Sequence, residues 1–74
     1  MQRKNELTQV QAETLALIAD YRNKNGYSPT VAEMAKAAGV NGNAISDRIT
    51  SMIKKGAITK TPGIARSIRP AGVD

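Results

Sequence analysis

The sequence predicts a mainly α (α+β) domain in which three helices precede a C-terminal two-stranded β-hairpin. Three observations predict this fold class. Two segments begin with the capping-box pattern Thr-x-x-Gln/Glu, which is typical of a helix start. A third segment repeats isoleucine at helical spacing. Finally, a Pro-Gly pair separates two short stretches near the C-terminus, which indicates a turn between strands.

The first helix is predicted to begin after Thr8, because Thr8 and Gln11 fit a capping box. Asn25 and Gly26 end it, since glycine accepts the left-handed conformation that closes many helices. At about 100° per residue, one stripe of side chains faces inward. Its members are Val10, Thr14, Leu17, Ile18 and Tyr21, with Leu15 at the edge.

The next two helices follow the same logic. Thr30 forms a predicted capping box with Glu33, and Gly39 ends the second helix. Asn41 is predicted to cap the third helix, which Gly56 closes. The expected inward residues are Val31, Met34, Ala35 and Ala38 in the second helix and Ile45, Ile49, Met52 and Ile53 in the third.

The C-terminal segment is predicted to form strands over residues 57–61 and 65–69 around a type II turn at Pro62-Gly63. Ile58 and Ile68 are expected to cover the core from the inner face of this hairpin. Because an isolated hairpin is marginally stable in water, it must pack on the helices. The order of elements therefore indicates a winged helix-turn-helix.

We place this domain at residues 7–70, with a flexible basic arm at 1–6 and a tail at 71–74. The net charge of +5 is one-sided: basic and acidic groups balance over residues 1–47, and residues 48–74 carry the whole excess. A one-sided basic field is typical of a nucleic-acid-binding protein. The alternative is a basic surface that serves solubility alone.

The composition argues against catalysis and against a cofactor. The chain has no His and no Cys, so the usual zinc sites, disulfides and thiol chemistry are excluded, and we expect neither a metal nor a cofactor. Glu13 and Asp20 lie on a polar helix face, and a serine–lysine dyad would need a cleft to bury the lysine. We therefore expect no enzyme. Without a membrane-length apolar run or a secretory signal, the expected compartment is the cytoplasm, with no membrane partner.

The outward face of the third helix carries short polar side chains that suit a DNA major groove. Asn43 could bond an adenine, Ala44 could contact a thymine methyl, and Asp47 could accept from cytosine. Asn-Gly-Asn is also a turn sequence, and we interpret Asn41 mainly as a cap. Each candidate for phosphate contact could instead be a solvated surface group. The candidates are Thr30, Arg48, Ser51, Lys54, Lys60, Arg66 and Arg69.

A series of short motifs follows the order and spacing of a known family. The motifs are Leu7-Thr8, Pro29-Thr30, Ala32-Glu33-Met34-Ala35, Asn43-Ala44, Lys55-Gly56-Ala57-Ile58 and Arg66-Ser67-Ile68-Arg69. On these residues, the chain resembles the N-terminal DNA-binding domain of the LexA repressor family from Leu7 to about Arg69. The resemblance implies a winged helix-turn-helix that binds operator DNA with its third helix in the major groove.

Carried over by position, the resemblance implies that a set of residues faces the groove. They are Asn41, Asn43, Ala44, Ser46 and Asp47. The chain departs from the family in two places. Gly42 stands where the family usually has Pro, in a turn one residue shorter, and Ser46-Asp47 replaces a pair of glutamates. We therefore expect a different target sequence.

Family members continue into a self-cleaving serine–lysine peptidase domain that also dimerises the protein. This chain ends at Asp74, which suggests either a free-standing regulator of phage, prophage or plasmid origin or a part of a longer repressor. We interpret it as a sequence-specific double-stranded DNA-binding transcription regulator, a repressor acting as a weak or DNA-induced homodimer. The alternatives are a winged-helix module that docks on a regulatory protein and a nonspecific architectural DNA binder.

Overall fold

A computed structural model of the chain describes residues 6–72. The predicted basic arm therefore lies outside the described residues except for Glu6, and so does the end of the predicted tail. Three helices precede a two-stranded antiparallel sheet: α1 (Gln9–Asn25), α2 (Val31–Ala38), α3 (Gly42–Lys54), β1 (Ile58–Thr59) and β2 (Arg69–Pro70). The predicted fold class is confirmed. None of the three helices in this range is long and apolar enough to cross a membrane.

The three predicted helix caps are present. Thr8 Oγ1 accepts a hydrogen bond from the Gln11 N–H at 3.2 Å, and the Gln11 side chain accepts from the Thr8 N–H at 3.1 Å. Thr30 and Glu33 repeat this arrangement at the start of α2, at 3.1 and 2.8 Å. Asn41 caps α3 through its side-chain oxygen. These bonds satisfy N–H groups that have no partner within the helix, and each cap is worth about 1 kcal/mol.

The core lies between the helices and the inner side of the sheet. Within residues 6–72, the buried apolar side chains are Ile18, Met34, Ala35, Ile45, Ile49, Met52, Ile58 and Ile68. The prediction that Ile58 and Ile68 cover the core is confirmed. Val40, in the turn between α2 and α3, packs against the same cluster.

Three residues predicted to face inward are exposed instead. Val10 is 45% exposed, Ile53 is 40% exposed, and Ala38 is also exposed. All three lie in the terminal turn of their helix, next to the end or at it. Val10 and Ala38 line an open cleft between α1, α2 and α3, and Ile53 lies beside the exposed Lys54 at the end of α3. The prediction was wrong at these positions for that reason.

The strands are shorter than predicted. β1 and β2 pair antiparallel with Ile58 opposite Pro70, so the predicted strands 57–61 and 65–69 were wrong in extent. The backbone of Arg66 interrupts the second predicted strand. Its φ of 58° is left-handed, and this conformation is incompatible with an extended strand.

Residues 60–68 therefore form a loop, which we call the wing loop. The predicted turn at Pro62-Gly63 is present: the Ile64 N–H donates to the Thr61 carbonyl at 3.2 Å, and Gly63 has a φ of 77°. Ser67 is buried and ties the loop together. Its hydroxyl accepts from the Thr61 N–H at 3.1 Å and lies 3.0 and 2.8 Å from the carbonyl oxygens of Thr61 and Ile64.

Two glycines near the helix-turn-helix should respond oppositely to the same substitution. At Gly42, the first residue of α3, a Cβ would meet only Val31 Cγ1 at 3.9 Å, so Gly42→Ala should raise the free energy of unfolding by about 0.4–1 kcal/mol. Gly39 has a φ of 71°, and Gly39→Ala should lower that free energy by about 1–2 kcal/mol. Urea denaturation followed by circular dichroism measures both. A change in the free energy of unfolding with the same sign in both variants would contradict this account.

Candidate nucleic-acid interface

The side of α3 that points away from the core is polar and exposed. Because isoleucine and methionine side chains fill the core side of this helix, residues half a turn away point outward. The outward set comprises Asn43, Ser46, Asp47, Thr50 and Lys54, and we call it the outer face of α3. It contains three of the five residues that the sequence predicted to contact bases.

The other two predicted base-contacting residues are Asn41, which is exposed but engaged as a cap, and Ala44. The Asn41 side-chain oxygen accepts the N–H of Ala44 at 2.8 Å, so the interpretation of Asn41 as a cap is confirmed. Ala44 is half-buried beside the outer face. Asn41 therefore sets the start of α3, and Ala44 presents only part of its methyl group.

Two predicted phosphate-contacting residues of α3 lie on its flank toward α1. Arg48 is half-buried and lines a cleft with Glu13, Leu17 and Ala38. Ser51 is also half-buried, and its hydroxyl accepts a hydrogen bond from Gln11 Nε2 at 3.0 Å.

The remaining phosphate candidates lie at the end of α3, in the wing loop, in β2 and at the start of α2. Lys54 ends α3 and Lys60 begins the wing loop, and both are exposed. Arg69 lies in β2 and is half-buried, with Nη1 donating to the Ser67 carbonyl at 2.8 Å. Thr30 caps α2. The structure thus places exposed cations at the end of α3 and at the base of the wing loop.

Arg66 differs from the other basic candidates because, among residues 6–72, it is the one whose side chain pairs with a carboxylate. Its Nη1 and Nη2 lie 2.8 and 3.0 Å from the two carboxylate oxygens of Glu33, which forms a bidentate ion pair. Nη1 also donates to the Ser28 carbonyl at 3.1 Å, and the guanidinium lies 4.6 Å from the centroid of the Tyr27 ring. Sequence reasoning assigned Glu33 to a cap alone, because nothing local signals a partner 33 residues away.

The segment between α1 and α2 is held from both sides. Ser28 and Pro29 are buried, and Arg22 Nη1 donates to the Ser28 hydroxyl at 2.7 Å. The rings of Tyr21 and Tyr27 pack edge to face with centroids 5.9 Å apart. Arg66 therefore binds to a connector that α1 already fixes.

A second polar cluster joins the start of α1 to the end of α3. Gln11 is only 8% exposed, and its side chain both caps α1 and contacts Ser51. Lys55 Nζ donates to the Gln11 side-chain oxygen and, at 3.0 Å, to the Glu6 carbonyl. The sequence predicted the cap and missed the burial, since a glutamine at that position is usually solvated.

The Arg66 guanidinium holds the pKa of Glu33 well below its ordinary value of 4.5, at about 2, and the Thr30 N–H contributes to the same shift. The carboxylate in turn raises the pKa of Arg66. Both groups are therefore charged over the whole neutral and mildly acidic range.

The stability of the fold should depend on the ionisation of Glu33. A folded pKa below the unfolded value means that the carboxylate stabilises the native state above pH about 4.5, and that this stabilisation is lost as the pH falls toward about 2. The difference in urea midpoint between the wild type and Glu33→Gln should therefore be present at pH 7 and shrink as the pH falls from about 4.5 through about 2. The exposed Glu13→Gln is the matched control. A difference that is independent of pH would contradict the assignment.

The capped α2–turn–α3 unit, the polar outer face of α3 and the adjoining wing loop define the class of winged helix-turn-helix proteins, many of which bind DNA. The sequence profile described as the LexA DNA binding domain matches residues 4–67. The chain belongs to this family, and the resemblance inferred from the motifs is confirmed.

Curated relatives show the same similarity over most of the chain. The LexA repressor of Pseudomonas chlororaphis is 43% identical over 70 residues, which cover 93% of this chain and 35% of the repressor. The LexA repressor of Oleidesulfovibrio alaskensis is 36% identical over 66 residues, which cover 89% of this chain and 32% of the repressor. The chain thus spans about a third of the length of these relatives.

Proposed function

We propose that the chain binds double-stranded DNA in a sequence-specific manner and represses transcription. The observation that carries this proposal is the exposed polar face of α3, presented by a capped helix-turn-helix in a member of the LexA DNA-binding-domain family. The helix has 13 residues and is about 20 Å long. A major groove about 12 Å wide admits such a helix, with its N-terminal residues nearest the bases.

Base recognition is assigned to the N-terminal half of α3. Asn43 can donate to and accept from adenine in a bidentate pair, Ser46 can bond either type of base edge, and Asp47 can accept from cytosine. The half-buried methyl group of Ala44 can contact a thymine methyl. The oxygen of Asn41 already accepts one hydrogen bond as a cap, and its amide N–H groups are offered to DNA.

Phosphate contacts are assigned to residues around this helix. Lys54 and Lys60 are exposed and long enough to follow the DNA backbone. Arg48 and Ser51 lie on the side of α3 toward α1, where we place the phosphate backbone of one DNA strand. Arg69 adds positive charge from β2. Thr30 marks a helix start, whose N–H groups favour an anion. Such contacts supply affinity and register, whereas the outer face of α3 selects the sequence.

We assign the chain no enzymatic reaction. Asp20, one of the two carboxylates considered for acid–base chemistry, pairs with Lys24 at 3.2 Å on an exposed face, as expected of a solvated helix pair. The similarity to proteins named LexA repressor supports repression. We infer a weak or DNA-induced homodimer on a two-fold site, acting on cytoplasmic DNA.

Selection from a random duplex library, at about 150 mM salt where nonspecific binding is weak, tests the proposed function. Enrichment of one motif supports sequence-specific binding, and an inverted repeat supports the homodimer. Recovery of unenriched DNA would replace the proposal with a nonspecific architectural binder. No recovery at all would favour docking on a regulatory protein.

Asn43→Ala should remove discrimination at one base pair of the selected site, by about 1–3 kcal/mol, because a bidentate base contact is lost. Fluorescence anisotropy on duplexes substituted at each position measures this loss. Asn23→Ala, which removes an exposed asparagine from α1, is the matched control and should change no base preference. Uniform weakening across all sequences would contradict the role of Asn43.

Lys60→Ala should weaken binding to all sequences alike and lower the slope of log K against log salt by about 0.9, the contribution of one phosphate contact. Salt titration of the same anisotropy signal measures the slope. Lys24→Ala removes the same charge from the far end of α1, where Lys24 pairs with Asp20, and should leave the slope unchanged. A change of base preference in Lys60→Ala would contradict the assignment.

A further inference from the structure

We infer that Arg66 is a positioning residue for DNA binding, which acts through Glu33 to hold the wing loop in a fixed place relative to α3. This inference rests on the proposed function. Its starting point is that Arg66 belongs to the wing loop, whereas its guanidinium binds Glu33 of α2 and Ser28 of the preceding connector.

The backbone of Arg66 is shaped for this contact. Among residues 6–72, it is the one non-glycine residue with a positive φ, 58°. Side chains disfavour this region, so it persists where surrounding contacts determine the conformation. Here the bidentate pair with Glu33, the bond to Ser28 and the stacking on Tyr27 supply those contacts.

Buried Ile68 anchors the end of the wing loop in the core, and the Arg66 contact adds a second anchor on α2. Ser67 fixes the loop internally, but β1 and β2 are only two residues long each, and a two-stranded sheet of this size is marginal by itself. The Arg66 contact is made to the first turn of α2, and a short turn joins α2 to α3. The ion pair therefore links the wing loop to α2, and through the short turn to α3, which carries the outer face. Fixing two binding elements in their bound arrangement raises affinity by reducing the entropy lost on binding.

Removing the Glu33 carboxylate should change the affinity for DNA in opposite directions if the residue positions the wing loop and if it acts only through its charge. Glu33 is an anion, so its removal should strengthen attraction to DNA if charge alone matters. If Glu33 positions the wing loop through Arg66, its removal should weaken binding. Glu33→Gln tests this cleanly because glutamine preserves a capping box, as Gln11 does at the start of α1.

The experiment measures the affinity of the folded 74-residue chain for its selected duplex as a function of salt. Glu33→Gln and Arg66→Lys should each weaken binding by about fivefold or more, the lower end of typical coupling between two sites, because lysine cannot bridge both carboxylate oxygens. The double variant Glu33→Gln/Arg66→Gln should be no weaker than Arg66→Gln alone, and the salt slope should not change. Glu13→Gln, which removes a carboxylate from α1, should bind as well as the wild type or more tightly.

Two results of the binding experiment would overturn the inference. One is a Glu33→Gln variant that binds as tightly as the wild type or more tightly. The other is an Arg66→Gln variant that lowers the salt slope by about 0.9 while Arg66→Lys retains affinity, since that pattern identifies Arg66 as a direct phosphate ligand.

A measurement without DNA separates failure of this inference from failure of the proposed function. In Glu33→Gln, the 15N order parameters of the wing-loop amides should fall while those of α1 stay unchanged. Unchanged wing-loop order parameters would overturn the positioning role whether or not DNA is bound. A wild type that selects no duplex would overturn the proposed function itself.

Discussion

The fold depends on two helix-capping side chains that each also bind a cation from the C-terminal part of the chain. Glu33 completes the capping box of α2 and pairs with Arg66, and Gln11 completes that of α1 and accepts from Lys55. The start of each helix is therefore coupled to a tertiary contact. Fraying of a first turn would release the element that binds there, so local and long-range order are lost together.

This coupling matters because the chain is small and its sheet is minimal. A domain of this size buries a limited apolar area, so polar contacts between elements contribute a larger share of its specificity. These polar contacts also reduce the number of cations in residues 48–74 that are available to a ligand. Lys55 and Arg66 belong to that excess, but both are engaged inside the fold. The cations available to a ligand are consequently fewer than the net charge of +5 suggests.

Sequence reasoning succeeded where the determining interaction is local. Capping boxes span three residues, and the stripe that contains Ile45 and Ile49 defines the outer face of α3 by exclusion. Sequence reasoning failed where the outcome depends on contacts between elements that are distant in the sequence. The stripes did not reveal that Val10 and Ile53 are exposed, and the Pro-Gly turn did not reveal that Arg66 interrupts the second strand. Partners such as Glu33 and Arg66 are brought together only by the closed fold, so no local pattern predicts them.

In the proposed complex, affinity and sequence choice come from different elements. The outer face of α3 carries Asp47 and Lys54, whose charges oppose each other, so its attraction for DNA is small and its value lies in hydrogen bonding. The attraction must come from flanking cations, of which Lys60 stands on the wing loop. Two elements can act on one duplex in register only if their separation is fixed. The Glu33–Arg66 pair fixes this separation between α3 and the wing loop. An ion pair that contacts no base therefore contributes to the affinity for the DNA site.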